Sequence, residues 1–321
     1  MIIFFTSAGH KYGPEALEDM SGAPDILIMS YNQLLRRKWL PMATYVFTDF
    51  DRLPFWQVEL AAHVFRHLKE AGANVLNDPA RALQRMQLLK RLHQSGLNTF
   101  KVWDPTVDDW PDRYPVFLRT RSAHRGTITD LLPDKASAES ALNKALEDGY
   151  GIHDLMFVEY CAAPEENGVF RKFSAFRIGD MIQMSMTVHE RNWVAKYGEE
   201  GAGSAEQYED EFNTVKSNPY NDVLNRAFDI ANIDYGRADF AVINGEPQIY
   251  EINTNPDVVI FEEHPFPIRL ESQAIISERF VDAMQTLDCP LDRSQKIALD
   301  HPSLVRQRKE DWLVLRERWI P

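Results

Sequence analysis

Residues 235–257 read YGRADFAVINGEPQIYEINTNPD, with two short apolar runs, Ala238–Ile243 and Gln248–Ile252, on either side of Asn244-Gly245. An Asn-Gly pair between such runs selects a tight hairpin, because both central residues of the favoured turn need positive φ. Two antiparallel strands are therefore expected. Asp239 lies early in the first, and Glu251 and Asn253 close the second. Residues two apart on a strand point the same way, so Glu251 and Asn253 share a face, and the hairpin can bring Asp239 onto it. Two carboxylates and an amide oxygen converging there make a hard, all-oxygen site, which is the donor chemistry of Mg²⁺. The competing reading of the same residues is a solvated strand on which polar side chains alternate.

The chain around this hairpin has 321 residues, enough for one large domain or two to three small ones. At 44% hydrophobic and 26% charged its composition is ordinary for a globular protein. A net charge of −13 argues against a long groove for DNA or RNA, while leaving local positive pockets open. The two cysteines, Cys161 and Cys289, match no metal or redox spacing, so free thiols in a reducing compartment are expected. The opening MIIFFTSAGH is too short and uncharged for a signal peptide, and no segment approaches a membrane span. A cytoplasmic protein without membrane or nucleic-acid partners is the expectation.

Met1–Phe5, Asp25–Met29, Thr44–Phe47 and Ala73–Leu76 read as short buried strands, and Phe55–Ala71 as a helix closed by Gly72. Strands alternating with helices predict a small α/β domain with a mostly parallel sheet. Ligands bind beyond the carboxyl ends of such strands, where Ser7, His10 and Lys11, and then Thr48, Asp49, Asp51 and Arg52, fall. Asp49 and Asp51 equally suit turns or helix caps. Asn77-Asp78-Pro79 reads as a helix start, with Gly96 as its end. Tyr114–Thr120 and Leu155–Tyr160 read as strands around a helix over Lys135–Asp148. Arg171–Ile178 and Met181–Val188 form a second hairpin about Gly179-Asp180, with Arg171, Lys172 and Arg177 on its first strand. The polar, glycine-containing stretch from His189 to Phe212 reads as a loop, Pro219–Asn232 and Phe266–Leu287 as helices, and the tail as a short amphipathic helix carrying Trp312, Leu313, Leu315, Trp319 and Ile320.

With GRADF and EINTNP in this order and the segments before them, the sequence resembles the ATP-grasp superfamily, especially the D-alanine–D-alanine ligases and the ribosomal-protein glutamate ligases. The resemblance spans about Asn77 to Pro256. It implies an α/β (α+β) fold in which two subdomains clasp ATP behind an N-terminal α/β domain. The implied division is 1–76, 77–160, 161–290 and a tail over 291–321. It maps the family's metal ligands onto Asp239, Glu251 and Asn253, and a substrate-contacting arginine onto Arg237, with Asn255 where a small polar residue faces substrate. Aligned on Gly96, the family's first phosphate lysine falls on Arg85, and the second on Arg119. The nucleotide-covering loop is Arg121-Ser122-Ala123-His124-Arg125-Gly126, with a single glycine. FVEYC resembles the adenine hinge and places Glu159, Tyr160 and Cys161 along the base, with Glu165 or Glu166 toward the ribose. VAKY resembles the loop that closes on the γ-phosphate and nominates Lys196.

What the resemblance implies is an ATP-dependent carboxylate–amine ligase that forms an amide through an acyl phosphate, with Mg²⁺ or Mn²⁺. Its substrate would be a small molecule or peptide carrying a carboxylate and an amine, and a homodimer is the base expectation. The alternatives are an ATP-grasp kinase and a non-catalytic ATP-binding protein. No Ser/His/Asp or Cys/His constellation competes, and His124 and His189 read as lone packed or solvated histidines.

Overall fold

A computed structural model describes residues 1–317 except 19, 108–109, 123–125 and 259, and only the backbone of residues 312–317. The expectations for His124, Arg125, Trp319 and Ile320, and for the side chains of Trp312, Leu313 and Leu315, lie outside the described residues.

β1 (Ile2–Thr6) is buried along its whole length, as an unbroken apolar run requires of a central parallel strand. α1 (Tyr12–Glu18), β2 (Ile26–Ser30), α2 (Tyr31–Arg36), β3 (Trp39–Met42), β4 (Thr44–Phe47), α3 (Phe55–Glu70) and β5 (Asn74–Leu76) follow. Strands β2, β1, β4 and β5 make a parallel sheet in that order, the α/β layer expected from the sequence.

Next come α4 (Arg85–Gln94), β6 (Val102–Trp103), β7 (Val116–Thr120), α5 (Lys135–Glu147) and β8 (Leu155–Glu159). The sheet β6-β8-β7 is antiparallel and sorts its side chains with period two. Val116, Leu118, Leu155 and Phe157 pack on α5, whereas Phe117, Met156 and Val158 join Leu88, Leu89 and Leu92 of α4. The helix expected to start at Pro79 starts instead at Arg85. Asn77 holds φ at 62° with its side chain anchored elsewhere, and Asp78 turns the chain by accepting the Ala80 N–H at 3.0 Å.

The third unit comprises β9 (Phe170–Ile178), β10 (Met181–Met184), β11 (Val188–Glu190), α6 (Ala205–Ser217), α7 (Asn221–Ala231), β12 (Tyr235–Ile243), β13 (Glu246–Asn253) and α8 (Pro267–Leu287). Its antiparallel sheet runs β10-β9-β12-β13, with β11 also on β9. The β12–β13 turn is the one the sequence demanded, with Asn244 at φ 53° and Gly245 at φ 83°. Residues 205–212, read as loop, instead begin a helix that runs to Ser217. Ser204 accepts the Gln207 N–H while Gln207 caps back, a capping box that the surrounding polarity hid. The strand expected over Met181–Val188 breaks after Met184 and resumes as β11.

The tail does not begin as a helix. β14 (Asp292–Ala298) pairs with β3, and α9 (Pro302–Glu317) follows, so that Ile297, Leu299 and Leu304 join the N-terminal core. A second cluster joins Ile2, Phe4 and Val46 of the parallel sheet to Phe176, Tyr235 and Phe280. This packing aims the carboxyl ends of β1 and β4 at the exit of β13. The join is close: a Cβ on Gly13 would lie 2.6 Å from the Pro256 carbonyl oxygen and 2.7 Å from Asn255 Oδ1, so only glycine fits. Asn255 donates to the His10 carbonyl (2.9 Å), and Thr254 Oγ1 accepts the Asp49 N–H (3.0 Å). Among the described residues no helix is long and apolar enough to cross a membrane.

Candidate active site

The register of the β12–β13 hairpin sets Asp239 directly opposite Glu251, and Arg237 opposite Asn253. A bulge follows Asp239, so that Phe240 faces Ile249 and Tyr250 is the extra residue. On the other side β9 sets Ser174 opposite Asp239, with Lys172 two residues away on the same face. The residues singled out from the sequence therefore share one face of the sheet.

Neither carboxylate stands alone. Asp239 accepts from Arg237 Nε at 2.8 Å and lies 3.3 Å from Lys172 Nζ. Glu251 accepts from Arg85 and lies 3.7 Å from Arg119. Asn253 Oδ1 accepts the Asn255 N–H at 2.8 Å. Cations outnumber carboxylates on this patch, so it is locally positive in a chain of net charge −13. Burial and the neighbouring Arg85 lower Arg119 to about 9, against the pull of Glu251. Burial also opposes the charge on Arg237, but Asp239 beside it more than offsets this and raises its pKa. Among the described residues no group of three His, Cys, Asp or Glu side chains forms a cage. The oxygen set is two carboxylates and one amide, and it suits Mg²⁺, which takes one or two protein carboxylates and completes its shell with phosphate and water.

Two cavities meet at this patch. A slot of about 150 Å³ has Phe100, Phe117, Val158, Trp193 and Tyr250 as its apolar walls and Arg119 at its polar end. A larger cavity of about 960 Å³ opens on the side of the N-terminal sheet and α8. Lys172, Asp239 and Glu251 line both. Aromatic and apolar side chains dominate the slot, and Arg119, Lys172, Asp239 and Glu251 are among its charged lining residues. Arg119 Nε is buried without a hydrogen-bond partner, as is Arg171 Nε on the same wall.

Glu159, Tyr160 and Cys161 line the slot. The Glu159 carboxylate accepts the Lys101 N–H (2.9 Å), the Tyr160 N–H goes to the Pro115 carbonyl (2.9 Å), and Tyr250 Oη donates to the Cys161 carbonyl. Neither Glu165 nor Glu166 is among the lining residues. Glu165 accepts from Gln207 and lies 3.8 Å from Arg171, and Glu166 is exposed. Arg85 lies behind Glu251, buried, donating also to the Arg121 carbonyl at 3.2 Å. Arg237 lines the larger cavity. Asn255 is buried in the join to His10, and its Oδ1 has no partner.

The segment from Arg191 to Gly203 passes over both openings: Trp193, Val194 and Ala195 wall the slot, and Lys196 to Gly201 wall the larger cavity. Its course is set by Glu190, whose Oε1 accepts the N–H groups of Lys196, Tyr197 and Gly198, each at 2.7 Å. The Lys196 ammonium stands over the Tyr197 ring, 4.7 Å from its centroid.

Sequence reasoning left two residues undecided, Asp49 between a ligand-facing group and a turn or cap, and His189 between a packed and a solvated histidine. Asp49 ties the end of β4 to its neighbours: it accepts from the Ser7 N–H (3.1 Å) and Arg52 Nε (2.8 Å), and burial raises its carboxyl pKa. His189, read as a lone histidine, is 3% exposed and lines the larger cavity. Burial lowers its pKa to about 4, and Arg171 and Arg269 push the same way. An unfolded histidine titrates near 6.5, so between these values the unfolded chain binds the extra proton and stability falls as pH falls. The wild type is expected to lose about 2 kcal/mol from this source between pH 6.5 and 4.5. Asp49 contributes with the opposite sign, so the comparison must be with a variant. Urea unfolding of His189→Phe at the two pH values should show a smaller loss by that amount, and an identical loss would refute the assignment.

Comparison with known proteins extends this geometry. No protein-family profile matches the chain, and no curated protein matches it. Among solved structures it is similar to the D-alanine–D-alanine ligase of Bacillus anthracis complexed with ATP, with a TM-score of 0.51 and 13% identity, covering 97% of this chain and 99% of that one. The D-alanine–D-alanine ligase of Coxiella burnetii gives 0.51 at 11% identity, covering 98% of each chain. The ATP-grasp ligase PsnB, complexed with a phosphomimetic variant of its minimal precursor, Mg and ADP, gives 0.51 at 13%, covering 89% and 96%. The chain has the ATP-grasp fold.

Proposed function

We propose that the protein is an ATP-dependent carboxylate–amine ligase. The observation that carries this reading is the meeting of two cavities at Lys172, Asp239 and Glu251, one with aromatic and apolar walls that suit a nucleotide base and the other large enough for a second substrate. That D-alanine–D-alanine ligases and PsnB share the fold supports it.

In the proposed reaction a substrate carboxylate attacks the γ-phosphorus of ATP and ADP leaves. An amine then attacks the acyl carbon and expels phosphate, leaving an amide. A carboxylate is a poor electrophile until it carries that leaving group. It must also approach a polyanion, so the site has to be positive where the two meet. Asp239, Glu251 and Asn253 would hold Mg²⁺, which supplies charge neutralisation to the phosphates. Arg119 and Lys172 would turn from the carboxylates to phosphate oxygens as nucleotide enters, leaving Asp239 and Glu251 to the metal. Arg85 would stay behind Glu251 and keep its side chain in place. Lys196 would approach the γ-phosphate from the segment that crosses both openings, in the manner of a lid that excludes water. Arg237, on the larger cavity, would bind the substrate carboxylate and steady the oxyanion at the acyl carbon. Asn255 would position the β13 exit through His10.

The test is ADP release with Mg-ATP and a panel of carboxylates, without and then with an amine. Release that needs the carboxylate and rises at least tenfold with the amine is expected. Release driven by a hydroxyl compound alone would make the protein a phosphotransferase, and no release with any pair would overturn the ligase reading.

A further inference from the structure

The larger cavity has two unlike poles. One is the sheet face, where Arg237 is held by Asp239 and by the Asp257 carbonyl, each at 2.8 Å. The other is apolar. Ile276 and Phe280, four residues apart on one face of α8, line it, and Phe261 and Phe266 close the wall from the segment before that helix. This wall is fixed in advance: Gln273 accepts the Phe261 N–H at 2.6 Å and donates to the Phe261 carbonyl at 3.0 Å. Arg269 adds no open charge there, because the buried Glu211 carboxylate lies 3.5 Å from its Nε and its guanidinium donates to the Thr187 carbonyl at 2.7 Å.

His189 is an independent sign of an occupant. It is 3% exposed, lines this cavity, and neither ring nitrogen has a hydrogen-bond partner. Buried polar groups are rarely left so, and a ligand group that bonds there removes the penalty. Size bears on the choice as well. A volume of about 960 Å³ lies at the top of the roughly 300–1,000 Å³ range of pockets for drug-sized ligands. Two small amino acids would leave much of this volume unfilled.

Resting on the ligase reading, we propose that the substrate seated here is an amino acid or short peptide with a bulky apolar side chain. Its carboxylate lies toward Arg237, its side chain fills the lobe formed by Phe261, Phe266, Ile276 and Phe280, and its backbone amide or amine bonds to His189.

The experiment is calorimetric. The full chain is first titrated with a non-hydrolysable ATP analogue and Mg²⁺, and the loaded protein then with alanine, phenylalanine and the dipeptide Ala-Phe. Phenylalanine or Ala-Phe should bind at least tenfold tighter than alanine, and Phe261→Ala should lose most of that difference. Nucleotide binding by the variant shows that it is folded, and Phe266→Ala repeats the test if it is not. Equal affinity for all three probes, or binding by none, would overturn this proposal while leaving the ligase reading standing. Failure of the nucleotide to bind in the first titration would bring down the ligase reading and this proposal together.

Discussion

Glu251→Gln is expected to abolish the Mg²⁺-dependent part of nucleotide binding and to lower turnover by about a thousandfold, the scale on which loss of a principal electrostatic group acts. Glu251 sits where the slot and the larger cavity meet, opposite Asp239, and the amide keeps its shape without its charge. A second consequence is separable from the first. In the ligand-free chain Glu251 is the counter-ion between Arg85 and Arg119, whose side chains are 6% and 15% exposed. Removing one partner of a buried pair leaves charge uncompensated and costs about 3 kcal/mol. Urea unfolding should show that loss without ligand, and saturating nucleotide should restore part of it by giving Arg119 phosphate oxygens. Unchanged stability together with unchanged Mg²⁺ dependence would remove Glu251 from the site.

Asn77→Ala is expected to be the most destabilising single change outside the site. The Asn77 amide donates to the carbonyls of Phe47 (2.9 Å) and Tyr235 (2.8 Å), and its Oδ1 accepts from the N–H groups of Asp234 (2.8 Å) and Tyr235 (2.9 Å). One buried side chain therefore joins the end of β4 to the start of β12, the strand that carries Asp239. Alanine leaves backbone groups without partners, at about 1 kcal/mol or more each. It also has to occupy φ 62°, where asparagine is tolerated and alanine is not. A loss of about 4 kcal/mol or more in unfolding free energy is the expected result, with Asn77→Asp intermediate because it keeps the acceptor. A loss below about 1 kcal/mol would mean that the two units are joined by other contacts.

The hairpin was legible because its turn chemistry and period-two spacing are local. Asn244-Gly245 can close only one kind of turn between such strands, and the spacing then decides which side chains share a face. The parallel sheet was legible for a similar reason, since its strands are unbroken apolar runs. What the sequence concealed depends on contacts between distant segments. β14 is charged and exposed except at Ile297, so nothing local marks it as a strand, and β3 supplies the pairing. The start of α4 was misplaced because Pro79 is a good first-turn residue, whereas tertiary bonds to Asn77 and the Leu83 N–H bond to the Ala231 carbonyl (2.8 Å) hold the chain out of helix as far as Gln84. Within the site, Asp239 and Glu251 could be found by spacing. That Lys172 and Arg119 neutralise them could not, because β9 and β7 reach the hairpin from elsewhere in the chain.

This neutralisation gives the most direct test. Isothermal titration of wild-type protein with Mg²⁺ alone, with a non-hydrolysable ATP analogue alone, and with both separates the roles of the patch. No Mg²⁺ binding at millimolar concentration without nucleotide is expected, because the carboxylates face cations. Binding of the analogue alone, tightened at least tenfold by Mg²⁺, is expected from the same charges. Absence of analogue binding with Mg²⁺ present would contradict a nucleotide site at Lys172, Asp239 and Glu251. Tight Mg²⁺ binding to the ligand-free chain would contradict the exchange of partners on which the proposed chemistry rests.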